Sequence, residues 1–439
     1  MTSESMKFEE IPLWETIEEF TEWMDRQPMM AKIGVEAVEF GLEKMNSMLE
    51  LLGHPEEGVP MIHVAGTNGK GTVCRLAAEL AIEEGYKVGL FTSPHIVRMH
   101  ERWTCNGVPI RDEELLSLAR KAHPAIVAMQ PTYFEITTLI AFLAFEAWDV
   151  DLAIVETGLG GRLDATNVIN PRCSVITSIS LDHTDVLGET VEDIAVEKAG
   201  IIKSNTPVVL GKLPELAKER IIGIAKEKHA EILDGQYAPL IELDSASSWD
   251  RHNLHLAGLA CARAGVFVHA SQQKSISYNE RLERAWMRYQ DRGWMGAPFV
   301  SINSNKTWYY DGAHNVEAIK ECLSRCRKLA PLSQWTLVYT SMKDKLQRPI
   351  LTQFDGFQER YFVSMNHPRA ATIKDVENID PLRSSKDSIA HFVGIDVEDM
   401  AEVLGPKKDS LVIFTGSFYF YTTLRTGFSK SSLLSIPVN

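Results

Sequence analysis

The chain has 439 residues, enough for two or three domains, and its 45% hydrophobic and 24% charged composition is that of a globular protein rather than a disordered or fibrous one. A formal net charge of -14 argues against wrapping nucleic acid as the main task, although a nest of N–H groups still binds a small anion in an acidic protein. No apolar run reaches the roughly 18 residues that span a bilayer and no signal-peptide pattern opens the chain. The six cysteines form no C-x-x-C pair, so the expectation is a cytoplasmic protein with reduced thiols.

Residues 11–52 carry two amphipathic helical patterns, the second with Val38, Leu42, Met45, Met48 and Leu52 on one face. A strand is predicted over Met61, Ile62, Val64 and Ala65, followed by a Gly/Asn-rich loop and a helix from Lys70 to about Glu84. Next come a strand at 87–91 that ends in Thr92-Ser93-Pro94-His95, a β excursion around Asn106-Gly107, a helix over 112–129 and an apolar helix from about Phe134. Strands follow at 152–155, 174–179 and 207–210, with helices at 191–201 and 213–229. Such alternation builds a mostly parallel sheet with ligands at the carboxyl ends of its strands, and Lys70, Ser93, Glu156 and His183 each follow a strand.

Periodicity weakens and charge density rises over 271–296, which puts a linker near 286–298. A second alternation follows, with strands at 308–310, 336–339, 360–363 and 411–414 and a helix from Val316; Cys322 and Cys326 share one face of that helix, without the further Cys/His pair a metal site needs. The fold class is therefore α/β: a large P-loop domain over 1–290, its mostly parallel sheet flanked by helices, and a smaller Rossmann-like α/β domain over 298–439.

The stretch MIHVAGTNGKGT is strand, tight loop, helix. Gly66, Gly69 and Gly71 let backbone N–H groups converge on an anion, and the helix dipole and the Lys70 ammonium add to its stabilisation. The general G-x-x-x-x-G-K-[ST] pattern is not met. Val64 stands where its first glycine belongs, and Gly71 separates Lys70 from the hydroxyl of Thr72. The loop alone leaves two readings open, a triphosphate site or a Gly-rich turn with a solvated lysine.

HVAGTNGKGT, FTSPH, ETGLGGRLDATN, SLDHTDVLG, EKAGIIK, DGAHN and TGSFYF, in this order, resemble the folylpolyglutamate synthase and dihydrofolate synthase family of Mur-type ATP-dependent amide ligases. The resemblance is strong over 25–212 and thinner over 307–425. It implies that Gly66, Thr67, Asn68, Gly69, Lys70, Gly71 and Thr72 bind ATP, with Asp311 and His314 meeting its ribose and base. Ser93, Glu156 and His183 would hold Mg²⁺, and Lys70, His183 and Lys198 would be catalytic, Lys198 as a carbamate. Arg162 and Asp164 would lie beside the acceptor carboxylate and glutamate. From residue type alone Glu156 is equally a solvated loop carboxylate, His183 a structural histidine, and Lys198 a surface lysine paired with Glu197 or Glu192.

The implied activity converts a carboxylate to an acyl phosphate that the amine of L-glutamate displaces, with dihydropteroate or a folate as acceptor, ATP and Mg²⁺ as cofactors, and a monomer as the working form. Competing readings are a ligase for another carboxylate and a folate- or nucleotide-binding protein without turnover. Three departures motivate them. Leu256 stands where the family has the asparagine facing adenine. Ala297 replaces a linker arginine that reaches the phosphates, a loss of about 1.5–3 kcal/mol unless a group such as Arg292 substitutes. The stretch between Leu233 and His252 is short.

Overall fold

The computed structural model describes residues 11–27, 41–237, 243, 246–267, 276–294, 299–303, 306–357, 359–379, 392–396, 399–404 and 411–428. The chain divides into two compact units, one formed by Met1–His95, His100–Leu240 and His252–Ala285, the other by Ile96–Met99, Ile241–Arg251 and Trp286–Asn439.

The first unit is built on an eight-stranded sheet: β1 (Met61–Ala65), β2 (Val88–Phe91), β3 (Trp103–Cys105), β4 (Val108–Pro109), β5 (Leu152–Glu156), β6 (Cys173–Ser178), β7 (Val208–Lys212) and β8 (Ile232–Asp234), in the order β4-β3-β2-β5-β1-β6-β7-β8. The six strands from β2 to β8 in that order run parallel, and β3 and β4 add an antiparallel edge. Asn106 and Gly107, at φ 49° and 75°, make the two-residue turn between β3 and β4 that the Asn-Gly pair favours. The central strands β1, β5 and β6 are buried along their whole length, which is why β1 and β5 read as nearly continuous apolar runs and not as alternation. The Tyr133–Trp148 helix is buried from Ile136 to Phe145, and no described helix is long and apolar enough to cross a membrane.

The two units divide between Ala285 and Trp286, at the start of the predicted linker, but part of that linker is helical. Residues 278–292 form a helix, Tyr278–Arg292. Its apolar face is narrow, with Leu282, Ala285, Trp286 and Tyr289 buried, and in the first unit Arg281 pairs with Glu84 and Arg284 with Glu83. Charges that lower mean hydropathy are here ion-pair partners, so the weak apolar signal hid a helix. Residues 295–298 lie outside the described residues, as do 238–242 and 244–245 of the short stretch after Leu233 and residues 35–40 of the second amphipathic pattern, the rest of which includes the helix Glu43–Leu51.

The second unit holds a six-stranded sheet of β9 (Phe299–Asn303), β10 (Lys306–Asp311), β11 (Trp335–Tyr339), β12 (Glu359–Val363), β13 (Val393–Ile395) and β14 (Leu411–Thr415), in the order β13-β12-β11-β14-β10-β9, parallel except for β9. Side chains alternate between two cores: Tyr309, Leu337 and Ile413 face the one containing Cys322 and Cys326, while Trp308, Tyr310, Val338, Val412 and Phe414 face the other. The two cysteines are therefore core side chains.

Gly416, straight after β14, has φ 114°, and a Cβ there would lie 1.7 Å from the Thr340 carbonyl oxygen. Gly416→Ala is expected to destabilise the second unit by roughly 2–4 kcal/mol, because strain and a clash with backbone combine. Urea unfolding followed by tryptophan fluorescence checks this, and an unchanged midpoint would refute the packing described.

Candidate functional site

Four neighbouring parallel strands, β2, β5, β1 and β6, end on one edge of the large sheet; Glu156 is the last residue of β5, and Ser93, the Gly66–Thr72 segment and His183 follow β2, β1 and β6. Residues up to 120 positions apart in sequence are thus gathered by topology.

The Lys70–Glu83 helix begins at Gly69, in the left-handed region at φ 86°, with no side chain capping its first turn and no acidic residue in it. Its dipole and first N–H groups are therefore open to an anion. A Cβ on Gly69 would lie 2.9 Å from Oδ1 of Asn253, which is buried, so only glycine fits the turn. The loop is braced by β6. Thr67 N–H donates to the Ser178 carbonyl (2.8 Å), Asn68 N–H to Ser178 Oγ (2.9 Å), and the Thr177 hydroxyl to the Asn68 carbonyl (2.7 Å). Thr67 and Asn68 thus spend these groups on holding the loop's shape.

Lys70 Nζ donates to the carbonyls of Gly66 (3.0 Å) and Thr67 (3.4 Å), and Lys198 Nζ reaches the same Gly66 oxygen at 3.0 Å. Lys198 is buried, so the reading of it as a surface lysine paired with Glu197 fails; Glu197 pairs instead with Arg162 at 2.8 Å. Glu156, 3% exposed, accepts the Ser93 N–H at 3.0 Å, and a Cβ on Gly71 would lie 3.4 Å from its Oε2. It is not a solvated loop carboxylate. Burial pushes its pKa up, while Lys70 first, then the Ser93 N–H, Arg75 and Arg102, draw it back. Arg102 is itself buried and donates to His95 Nδ1 at 2.9 Å.

His183 sits in the left-handed region at φ 50°, ahead of the short helix Thr184–Leu187; its N–H donates to Asp182 Oδ1 and its side chain is 39% exposed. Among the described residues, His54, Glu56 and Glu57 are the one group of three His, Cys, Asp or Glu ligand atoms within 4.8 Å of one another; Glu156 and His183 belong to none.

Asp164, expected as a substrate contact, is built into its own loop. It is buried, and its carboxylate accepts the N–H groups of Gly158 (2.8 Å), Leu159 (2.8 Å) and Thr166 (3.1 Å) and the Thr166 hydroxyl. Its oxygens are committed to closing the Gly158–Asn167 loop. Because the Thr166 proton goes to Asp164, the Thr166 oxygen accepts from Nε2–H of the fully buried His63 at 2.8 Å. That leaves Nδ1 of His63 unprotonated, without a partner among the described residues. Arg162, the other expected substrate contact, is half-exposed on Glu197.

In the second unit, Asp311 ends β10 and His314 follows. Nδ1 of His314 hydrogen-bonds the Gly312 carbonyl at 2.9 Å, which requires the proton on Nδ1 and leaves Nε2 as acceptor, and the ring meets Phe418 edge-on at 5.3 Å. Asn315 caps the Val316–Cys326 helix through the Ala318 N–H. Leu256 is buried, packed against Gly235 and Gly211, and so fills its position with methyl groups. Arg292 lies over the Trp294 ring at 5.6 Å.

Sequence reasoning missed Thr177 and Ser178, whose signal was a pair of hydroxyls at the carboxyl end of β6, and Asn253, Arg102 and Arg325, for which local sequence held none.

The Mur ligase middle domain model matches residues 64–234, and that of the Mur ligase glutamate ligase domain matches 299–418. The dihydrofolate synthase/folylpolyglutamate synthase of Bacillus subtilis is 33% identical over 441 residues, covering 92% of this chain and 99% of that protein. The chain belongs to the dihydrofolate synthase/folylpolyglutamate synthase family. The solved structure of Mycobacterium tuberculosis folylpolyglutamate synthase complexed with ADP and AMPPCP shares the fold, with a TM-score of 0.78 and 24% identity over 94% of this chain and 98% of that one. Escherichia coli FolC in complex with DHPP and ADP superposes with a TM-score of 0.76 at 25% identity, over 93% and 97%. Within the family framework, ETGLGGRLDATN encodes both a buried carboxylate, Glu156, and the loop that Asp164 closes behind it.

Burial foremost, then the Lys203 ammonium, lowers the His63 pKa from 6.5 to about 3. A folded-state value below the unfolded one means that this stability is complete above pH 6.5 and is lost as pH falls toward 3, on the order of 5 kcal/mol in all. His63→Gln keeps a donor for Thr166 and removes the titration. Its unfolding free energy is expected to fall less steeply than the parent's over that window, and parallel pH profiles would contradict the assignment.

Proposed function

We propose that this chain is an ATP-dependent carboxylate–amine ligase that joins L-glutamate to dihydropteroate or to the glutamyl tail of a reduced folate through an acyl phosphate. The observation that carries the reading is the buried Glu156 carboxylate, set against the phosphate loop at the ends of four parallel strands, with Lys70 and Lys198 sharing the Gly66 carbonyl.

In this reading the open first turn of the Lys70–Glu83 helix, from Gly66 to Thr72, takes the phosphates of ATP, and Lys70 turns from the carbonyls it now contacts onto the terminal phosphate. Lys198, as ammonium or carbamate, reaches the same loop. Glu156 is a hard oxygen donor that burial and neighbouring cations keep poised for a divalent ion, and it would hold Mg²⁺ together with Ser93, after the neighbouring β2, and His183, after β6. When bound, Mg²⁺ neutralises phosphate charge and polarises the transferred phosphoryl group. Asp311 and Nε2 of His314 receive the ribose and base, and Arg162 exchanges Glu197 for a substrate carboxylate. The six free cysteines suit a reducing compartment, and we take the enzyme to act in the cytoplasm as a monomer.

Purified protein with Mg·ATP, L-glutamate and either dihydropteroate or tetrahydrofolate is expected to release ADP and to yield a product heavier by one glutamyl unit, read by mass spectrometry. ADP release only with another carboxylic acid would sink the folate assignment. Binding of nucleotide without turnover would favour a non-catalytic protein, the reading that Leu256 motivates. Lys70→Ala is expected to lower turnover by roughly a hundredfold or more, and retained activity would remove the loop from the reaction.

A further inference from the structure

Asp311 is expected to accept a hydrogen bond from the nucleotide ribose, yet a carboxylate at a strand end is useful for that only if it points one way and stays ionised. Three bonds within the second unit orient it. Oδ1 accepts the Ala313 N–H at 3.1 Å, and Oδ2 accepts the Tyr309 hydroxyl and Nη1 of Arg325, both at 3.1 Å. A carboxylate has about four acceptor positions, so the open one lies on Oδ1.

Arg325 is in the last turn of the Val316–Cys326 helix and divides its fork among separate anchors. Besides Nη1 on Asp311, Nη2 donates to Asp250 Oδ1 at 2.9 Å, and Nε donates to Ser247 Oγ at 3.3 Å with Glu321 at 3.6 Å. The side chains of Arg325, Asp250 and Asp311 are 15%, 18% and 13% exposed, so water screens these charges little. One guanidinium stands among three carboxylates. Burial pushes the Asp311 carboxyl up, and Arg325 is the largest influence holding it down. Without that cation, Asp311 and Asp250 would face one another directly and one would turn away or take a proton.

We propose that Arg325 is a positioning residue for nucleotide recognition, bridging Asp311 to Asp250 and Ser247 so that the free lone pair of Asp311 Oδ1 meets a ribose hydroxyl. This rests on the reading of Asp311 as a ribose contact. A planar fork is required because three anchors lie in three directions; a lysine has the charge but only one nitrogen to place.

The experiment compares kcat/KM for ATP with that for the 2′-deoxy and 3′-deoxy analogues in the full chain, with thermal melting of each variant measured alongside. The parent is expected to prefer ATP over one analogue by about tenfold or more, as for a charge-assisted hydrogen bond. Asp311→Asn and Arg325→Gln should both bring that ratio near one, with Arg325→Lys and Asp250→Asn between. A role confined to stability would lower the melting temperature and leave the ratio unchanged. If Asp311→Asn loses discrimination while Arg325→Gln, Arg325→Lys and Asp250→Asn keep it, the bridge is refuted and the ribose contact stands. If Asp311→Asn keeps discrimination, the ribose contact fails and the proposal falls with it. Should Arg325→Gln not fold, the lysine and Asp250 variants decide.

Discussion

A carboxylate is enclosed at the end of β5 in the large unit. Removing an isolated charge from water costs several kcal/mol even after relaxation, so Glu156 is tenable only because the first turn of the Lys70–Glu83 helix, the Ser93 N–H and the Lys70 ammonium surround it. The same set of groups is what a metal–phosphate ligand requires: cations and helix N–H groups for the phosphate, a hard oxygen for the metal. Parallel strands make this economical, since adjacent β2, β5, β1 and β6 deliver their loops to one edge without any long excursion of the chain.

A second tier of residues holds that edge in shape and touches no ligand in the reading offered. The hydroxyls of Thr177 and Ser178 fasten the phosphate loop to β6, and Asp164 gathers three N–H groups to close the loop after β5. His63, Thr166 and Asp164 form a directional relay of hydrogen bonds whose proton positions follow from donor and acceptor bookkeeping. Such residues carry the same chemical types as reactive ones. In sequence Asp164 and Glu156 are both acidic residues of a Gly-rich motif and both are buried, and only their partners tell them apart: Asp164 accepts three N–H groups and a hydroxyl, Glu156 the Ser93 N–H.

In the small unit a similar division appears. His314 bonds the Gly312 carbonyl and Asp311 ends β10, while Asn315 caps a helix and Arg325 ties that helix's last turn back to the strand end. Because Asp311 and Arg325 sit at opposite ends of one strand–helix connection, the helix length sets where the guanidinium arrives.

Strand–helix alternation, the placement of Lys70, Ser93, Glu156 and His183 after strands, and the family itself were legible in the sequence, because burial on both faces writes continuous apolar strands and Gly-rich loops must be spelled out locally. The helix Tyr278–Arg292 was not legible, since its charges are satisfied by Glu83 and Glu84, almost 200 residues earlier in the chain. Nor was the burial of Lys198 against Gly66, the withdrawal of Asp164 into its loop, or the bridge from Arg325 to Asp250 and Asp311. Each depends on which partner is near in space. Hydrophobic period and turn chemistry are properties of neighbours in sequence and determine the elements. Charge compensation and hydrogen-bond partnership are properties of neighbours in space, and only the tertiary structure decides them.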